Sequence, residues 1–501
     1  MLQLEKLTIT HQKDLQDLIR DLDLVLNPGE KLAIIGEEGT GKSSLIKAII
    51  DPQLLASYAQ LTGTITNRFH QTGYLPQTLE EEKLQQAVTD FLYGDLDYGL
   101  FDFNLFYKYA EQFRLDLDRF EKQQQNLTNL SGGERLKLQL LKILAKDPDL
   151  LILDEPSSDL DLETLQWLEH FIQSSEKAIL FISHDESLLA RAATAILHLE
   201  LLKKRTEPRA TFYRGSYNQY RQERREKFEH QLQVAKKERE EHAKKMERHH
   251  RIHQSVEHVL RHTHDSTAGR LLAKKMKNVL SQERRLKKEA ENLTEIPQDM
   301  DAIQLFFSEI KPLPASKTIL SWEKMLLPTG QTVNLQIRGQ DKLVITGKNG
   351  IGKTRLLKLL LQDLRERTDL SLGYMPQHYE EEFEAQSTPL SFLASVAEEE
   401  KARTLLASLK FTRQEVVHSL HDLSGGQKAN LFLARMVLAG NDVLVLDEPT
   451  RHFSPTSQPL IRQLLMDYPG AIISVSHDRR FIEEVAPIHY QLDEESLVRT
   501  R

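Results

Sequence analysis

Gly36-Glu37-Glu38-Gly39-Thr40-Gly41-Lys42-Ser43 decides how this chain is read. The apolar run Leu32-Ala33-Ile34-Ile35 precedes it as a short buried strand, and Ser44-Leu45-Ile46-Lys47-Ala48-Ile49-Ile50 follows as a helix. Strand, glycine-rich loop and helix in that order form the G-x-x-x-x-G-K-[ST] phosphate loop. Gly36, Gly39 and Gly41 let backbone N–H groups turn inward around phosphate oxygens, at a helix N-terminus that already favours anions. Lys42 is expected to reach the β- and γ-phosphates of ATP and Ser43 to ligate Mg²⁺, with Ser44 next in the loop.

Further along, Leu150-Leu151-Ile152-Leu153-Asp154-Glu155 is an apolar strand that delivers two carboxylates to its C-terminal end. A lone Asp-Glu after a strand is ordinarily a helix cap. Paired with a phosphate loop, Asp154 reads as a Mg²⁺ holder through water and Glu155 as the group that polarises an attacking water. Between loop and strand, Leu130-Ser131-Gly132-Gly133-Glu134 opens another helix, with a serine cap and an exposed cup of N–H groups.

The set then recurs. Gly347-Lys348-Asn349-Gly350-Ile351-Gly352-Lys353-Thr354-Arg355 follows the apolar Leu343-Val344-Ile345 and supplies Gly347, Gly350, Gly352, Lys353, Thr354 and Arg355 to a second ATP site. Leu423-Ser424-Gly425-Gly426-Gln427 and Val443-Leu444-Val445-Leu446-Asp447-Glu448 come next, with Asp447 on Mg²⁺ and Glu448 as the second base. Serine to aspartate spans 23 residues in both copies (131 to 154, 424 to 447), and aspartate to the histidine beyond it spans 30 (154 to 184, 447 to 477). Equal spacing over so long a stretch is an internal duplication.

The middle resembles neither copy. Residues 221–290 hold 20 Lys+Arg against 11 Asp+Glu, a local +9 in a chain of −8, so the remainder sums to −17. Eight of the 19 histidines also lie between 230 and 264. Phe228, Leu232, Ala235, Met246, Val256 and Leu260 run in one narrow phase through Arg239, His242, His249 and His253. Leu272, Met276, Val279, Leu286, Ala290 and Leu293 form a second stripe with Glu283 its polar member. Two such stripes predict an antiparallel helical hairpin broken near His262–Gly269, its first helix on the order of 60 Å long. Exposed Lys and Arg on those helices suit phosphate contacts, although each histidine by itself reads as filler of a wet seam. The absence of cysteine excludes disulfides and cysteine metal sites and fits a cytoplasmic protein. No apolar run of 18 residues occurs and the first residues carry no leader pattern, so no membrane partner is expected.

Phosphate loop, Gln77 after Tyr74-Leu75-Pro76, Leu-Ser-Gly-Gly, the Asp-Glu strand and Ser183-His184-Asp185 occur in the order of the ATP-binding-cassette ATPases, which both halves resemble; the second carries Gln377 and His477. The resemblance implies that Ser131, Gly132 and Gly133, and Ser424, Gly425 and Gly426, each bind the γ-phosphate of ATP held on the facing cassette. Lys42 would thus pair with Ser424, and Lys353 with Ser131, within a monomer. It makes Gln77 and Gln377 contacts for Mg²⁺ and water, His184 and His477 contacts for the γ-phosphate, and Asp161 the link between the sites; Ser454 stands where the second half would have that aspartate. His11 and, more weakly, Trp322 are the adenine-stacking choices.

The expected fold is therefore α/β: cassettes at 1–207 and 301–501, joined by a charged helical hairpin at 208–300. That architecture, with no membrane domain, resembles the ABC-F group. The resemblance implies a ribosome-associated ATPase that binds the exit site with ATP, its hairpin extending toward the P-site tRNA and the large-subunit rRNA of the peptidyl-transferase centre. Glu448-Pro449-Thr450-Arg451-His452-Phe453-Ser454-Pro455 is similar to the branch that confers antibiotic resistance by ribosomal protection. The alternatives are a housekeeping translation factor and the tandem-cassette energy subunit of a membrane importer.

Overall fold

The computed structural model describes residues 1–94, 96, 101–123, 125–158, 160–202, 207–262, 266–294, 310–383 and 387–501. The described chain forms two units, one built from Met1–Tyr217 with Asp301–Arg501 and the other from Asn218–Met300.

In the first unit, the N-terminal half opens with an antiparallel sheet of β1 (Leu2–His11), β2 (Asp17–Leu26) and β4 (Ala59–Asn67), with β1 in the centre. The larger sheet runs β5 (Thr72–Leu75), β6 (Leu150–Leu153), β7 (Ala178–Ile182), β3 (Lys31–Ile35), β8 (Ala195–Leu201) and β9 (Glu207–Arg214). Only the last pair is antiparallel. β3, β6 and β7 are buried at every position, which is why they read as unbroken apolar runs.

The C-terminal half repeats this order. Its sheet runs β13 (Leu372–Met375), β14 (Val443–Asp447), β15 (Ala471–Val475), β12 (Lys342–Gly347), β16 (Ile488–Leu492) and β17 (Leu497–Arg499), beside a hairpin of β10 (Thr318–Leu326) and β11 (Thr332–Arg338). In both halves the phosphate loop leaves a central strand, and the Asp-Glu strand lies two places away. Parallel strands put both motifs at the same C-terminal sheet edge, where ligands bind in such folds.

The second unit is an antiparallel helix pair, Tyr217–Arg261 (to which the first unit contributes Tyr217) and Ser266–Glu291. Forty-five residues correspond to about 68 Å of helix. Ala235, His249, Val256 and Val279 are buried in the seam. His242 Nε2 meets the Leu286 carbonyl oxygen at 2.9 Å and His249 Nε2 that of Val279 at 2.9 Å. Arg239 donates to the Thr294 oxygen at 2.8 Å. The seam histidines thus bond to the partner helix's backbone. Ala290 departs from its expected place: it is exposed, and Glu289 takes the seam position, 3.5 Å from Lys245. Of the break expected at His262–Gly269, residues 263–265 lie outside the described residues, whereas Ser266–Gly269 already belong to the second helix.

Candidate active site

Each phosphate loop is shaped by its glycines. Gly36 has φ 148° and Gly347 φ 154°, and a Cβ on either would fall 2.2 Å and 2.5 Å from a carbonyl oxygen of the neighbouring strand, Leu199 and Leu492 respectively. No larger residue fits there. Lys42 Nζ donates to the carbonyls of Gly36 and Glu37, both at 2.8 Å; Lys353 Nζ does the same to Gly347 at 2.9 Å and Lys348 at 2.8 Å. Burial lowers the pKa of both ammonium groups, against the opposing pull of Glu155 on Lys42 and of Glu448 on Lys353. Each lysine is thus held, partly desolvated, where a phosphate chain would enter.

Glu155 and Glu448 both sit in the left-handed region, at φ 48° and 52°. For a residue with a side chain this costs about 1–2 kcal/mol, and the same strain appears in both copies. Gln77 Nε2 donates to Glu155 Oε2 at 2.9 Å, Ser158 Oγ donates to the same oxygen at 3.2 Å, and His184 Nε2 lies 3.6 Å from Oε1. Burial opposes ionisation of Glu155, yet His184, Lys42 and Ser158 outweigh it and bring its pKa to about 2. Glu448 differs. Burial, reinforced by Asp447, pushes it to about 8, although the His477 N–H donates to it at 3.3 Å. His477 is itself driven by burial to about 4. The two sites share the strained backbone at the glutamate, but their surroundings shift the two carboxylates in opposite directions.

Asp154 Oδ1 is buried with no hydrogen-bond partner among the described residues, and the buried Asp447 carboxylate has the Thr354 hydroxyl beside it. Burial raises the pKa of each, Asp154 to about 6. Buried carboxylate oxygens without a donor are unusual. Ser43, Gln77, Thr354, Gln377 and Asp447 line one cavity and, with Asp154 buried just past β6, give the hydroxyl, amide and carboxylate oxygens that suit Mg²⁺. The residues present fit that ion.

One continuous cavity of about 1270 Å³ takes in both loops. Its walls include Gly39, Gly41, Lys42, Ser43, Ser44, Gln77, Glu155 and His184 from the first half, and Gly350, Gly352, Lys353, Thr354, Arg355, Gln377, Asp447, Glu448 and His477 from the second. Gly132 also lines it. Ser131 and Ser424 cap their helices through capping boxes with Glu134 and Gln427. Gly133 is buried against Thr164, and Gly426 lies against the His452 backbone. The halves touch directly at this edge. Gly425 N–H donates to Glu38 Oε2 of the first phosphate loop at 2.5 Å, and His184 Nδ1 is 3.3 Å from the Phe453 carbonyl oxygen.

Beyond the cavity an ion cluster joins the residues that follow each histidine. Arg462 Nη2 lies 3.0 Å from Glu186 Oε2, and Arg480 Nη1 reaches the same oxygen at 3.0 Å. Arg479 bonds Glu169. Short-range patterns carry no trace of these pairs, whose partners lie hundreds of residues apart.

Ser454 does not reproduce its counterpart. Asp161 caps the Leu162–Ser174 helix by accepting from Thr164 N–H, whereas Ser454 Oγ accepts from Ser457 N–H at 3.3 Å in the turn ahead of the Gln458–Asp467 helix. That helix's own N-cap, Ser457, makes no side-chain cap bond, so both the cap and the charge are lost. Trp322 does not face nucleotide: it is buried in the core and donates its indole N–H to Asp363 at 2.7 Å. His11 lies 2.9 Å from Asp14 and is not among the cavity walls, where Leu18 appears instead.

Fold and site together define a P-loop ATPase whose two catalytic halves lie in one chain. The family model described as ABC transporter matches residues 19–158 and 331–451, and the chain belongs to this ATP-binding-cassette family. It binds and hydrolyses ATP. Relatives include the ATP-binding protein Uup of Haemophilus influenzae, 27% identical over 94% of this chain and 75% of its own length. Another is ABC transporter F family member 5 of Arabidopsis thaliana, 26% identical over 93% and 72%. Among solved structures, the complex of the archaeal ribosomal stalk protein aP1 with the ribosome recycling factor aABCE1 matches with TM-score 0.62 at 16% identity, covering 99% of this chain and 90% of that one. No described helix is long and apolar enough to cross a membrane.

Proposed function

We propose that the chain is a ribosome-associated ATPase of the ABC-F type, with ATP closing the two halves and hydrolysis releasing them. The observation that carries this reading is the net +9 of residues 221–290, set on an antiparallel helix pair whose exposed faces display lysine and arginine. Such a surface suits RNA phosphates, and a transporter-docking subunit has no need of it. F-type relatives and a structural neighbour described as a ribosome recycling factor support the same direction. In this reading the protein occupies the exit site, the hairpin extends toward the P-site tRNA and the large-subunit rRNA, and the chain works as a cytoplasmic monomer.

In each site, the phosphate-loop N–H groups and Lys42 or Lys353 bind the triphosphate. Ser43, Gln77 and Asp154, or Thr354, Gln377 and Asp447, would hold Mg²⁺, which supplies charge neutralisation at the β- and γ-phosphates when bound. Glu155 and Glu448 orient the attacking water and, when ionised, take up its proton; His184 and His477 face the γ-phosphate. Ser424 and Ser131 complete the opposite site from across the interface. The run from Glu448 to Pro455 further supports the antibiotic-resistance branch over a housekeeping factor.

Reversing charge at exposed Lys244, Lys274, Lys275 and Lys277 to Glu tests the reading. Ribosome binding should fall with its salt dependence while ATP hydrolysis by the free protein persists. A raised inhibitory concentration for large-subunit drugs, conferred by the intact gene, should fall in parallel. Undiminished ribosome binding by the charge-reversed protein would overturn the assignment of the hairpin.

A further inference from the structure

The first phosphate loop carries a carboxylate, Glu38, where the second carries an amide, Asn349. Asn349 Oδ1 turns toward its own Lys353 at 3.5 Å. Glu38 instead reaches the opposite half. Its Oε2 accepts from Gly425 N–H at 2.5 Å, and its Oε1 lies 3.4 Å from His452 Nδ1. His452 is backed by the buried ring of Tyr379, 5.1 Å away. A Cβ at position 425 would fall 2.6 Å from His452 Nδ1 and 2.9 Å from Glu38 Oε1, so a larger residue there would displace these two side chains from the contact. The amide that Glu38 occupies opens the Gly425–Ala439 helix, the element expected to receive the γ-phosphate of ATP bound at Lys42.

We propose that Glu38 is a positioning residue, an internal anion that latches the Lys42 site closed without nucleotide and that the triphosphate must displace. The inference rests on the pairing of Lys42 with Ser424 put forward above. It makes the two sites unequal by construction. The Lys42 site trades one anion for another when ATP arrives, so its net gain is smaller and its ATP affinity lower than the amide-bearing site would have.

The absence of cysteine allows a direct test in the full chain. Leu54→Cys and Val417→Cys, both at exposed positions in opposite halves, take a fluorescent donor and acceptor. Glu38→Asn, matching the second loop, and the near-isosteric Glu38→Gln are compared with the parent. Hydrogen bonds to charged groups shift an equilibrium by roughly ten- to a hundredfold, so the closed fraction of the nucleotide-free protein should drop sharply and the KM for ATP should fall by about tenfold, with Gln intermediate. An unchanged closed fraction together with an unchanged or raised KM in both variants overturns the latch. Ser424→Ala separates the two ideas. If it weakens ATP-driven closure while Glu38 substitutions do nothing, only the latch fails; if it leaves closure intact, the pairing fails and the latch with it.

Discussion

Replacing Arg462 by Met probes what joins the two halves outside the nucleotide sites. The side chain is almost wholly buried and faces three acids: Glu186 at 3.0 Å, Glu484 at 2.7 Å and Asp478 at 3.9 Å. Glu484 is 42% exposed, so that pair is screened and contributes about 1 kcal/mol at most. Glu186 is different, because its carboxylate is as buried as the cation. Removing one member of a buried pair typically costs about 3–5 kcal/mol, chiefly through the charge left behind. Arg480 remains 3.0 Å from the same oxygen and offsets part of this, so we take the lower figure, about 3 kcal/mol. At roughly 2–4 °C per kcal/mol for domains of this size, the first thermal transition should fall by about 6–12 °C. Calorimetry of the nucleotide-free protein reads this shift. Adding Glu186→Gln to Arg462→Met should recover about 2 kcal/mol, because the stranded charge is removed as well. A drop below about 2 °C, or strictly additive losses, would show that the cluster is solvated and does not tie the halves together.

Two further outcomes follow from the catalytic carboxylates. Glu448 has its pKa raised from 4.5 to about 8 in the nucleotide- and metal-free protein, so between those values the folded state holds a proton that the unfolded chain has released. Stability should therefore decline as pH rises through that window, and Glu448→Gln should flatten the decline in pH-dependent thermal melts; an equal slope in both proteins would contradict the burial of that charge. At φ 48° and 52°, Glu155 and Glu448 also store backbone strain. Glu155→Gly and Glu448→Gly should each abolish turnover at the altered site yet exceed the matching Gln variants in stability by about 1 kcal/mol, as denaturant titration would report. Gly variants less stable than their Gln counterparts would remove the strain argument.

The tandem fold was legible because its determinants are local. Glycines in a loop, an apolar run ending in Asp-Glu and a serine cap each announce themselves within a few residues, and their equal spacing exposes the duplication. The hairpin was legible from its sparse 4-3 rhythm, down to the polar seam positions His242 and His249. Ala290 was misplaced because the half-buried stripe steps three residues from Leu286 to Glu289, where the rhythm of apolar types called for a step of four. Trp322 was offered as an adenine platform on its residue type alone; Leu320 two residues before it and Leu335 opposite it on the next strand belong to the core it fills. Contacts between halves, such as Glu38 with Gly425 and Arg462 with Glu186, were invisible because they depend on how two copies face each other. The same is true of the pKa difference between Glu155 and Glu448: burial raises both, but His184, Lys42 and Ser158 outweigh it at Glu155 while Asp447 reinforces it at Glu448.

The central claim is that ATP closes the two halves and that the closed form engages the ribosome. Its most direct test is sedimentation of the Glu155→Gln/Glu448→Gln protein with ribosomes in ATP. The account predicts that this hydrolysis-blocked chain pellets with ribosomes in ATP and is released when ATP is withheld. Recovery of the doubly changed protein free of ribosomes in saturating ATP would contradict it.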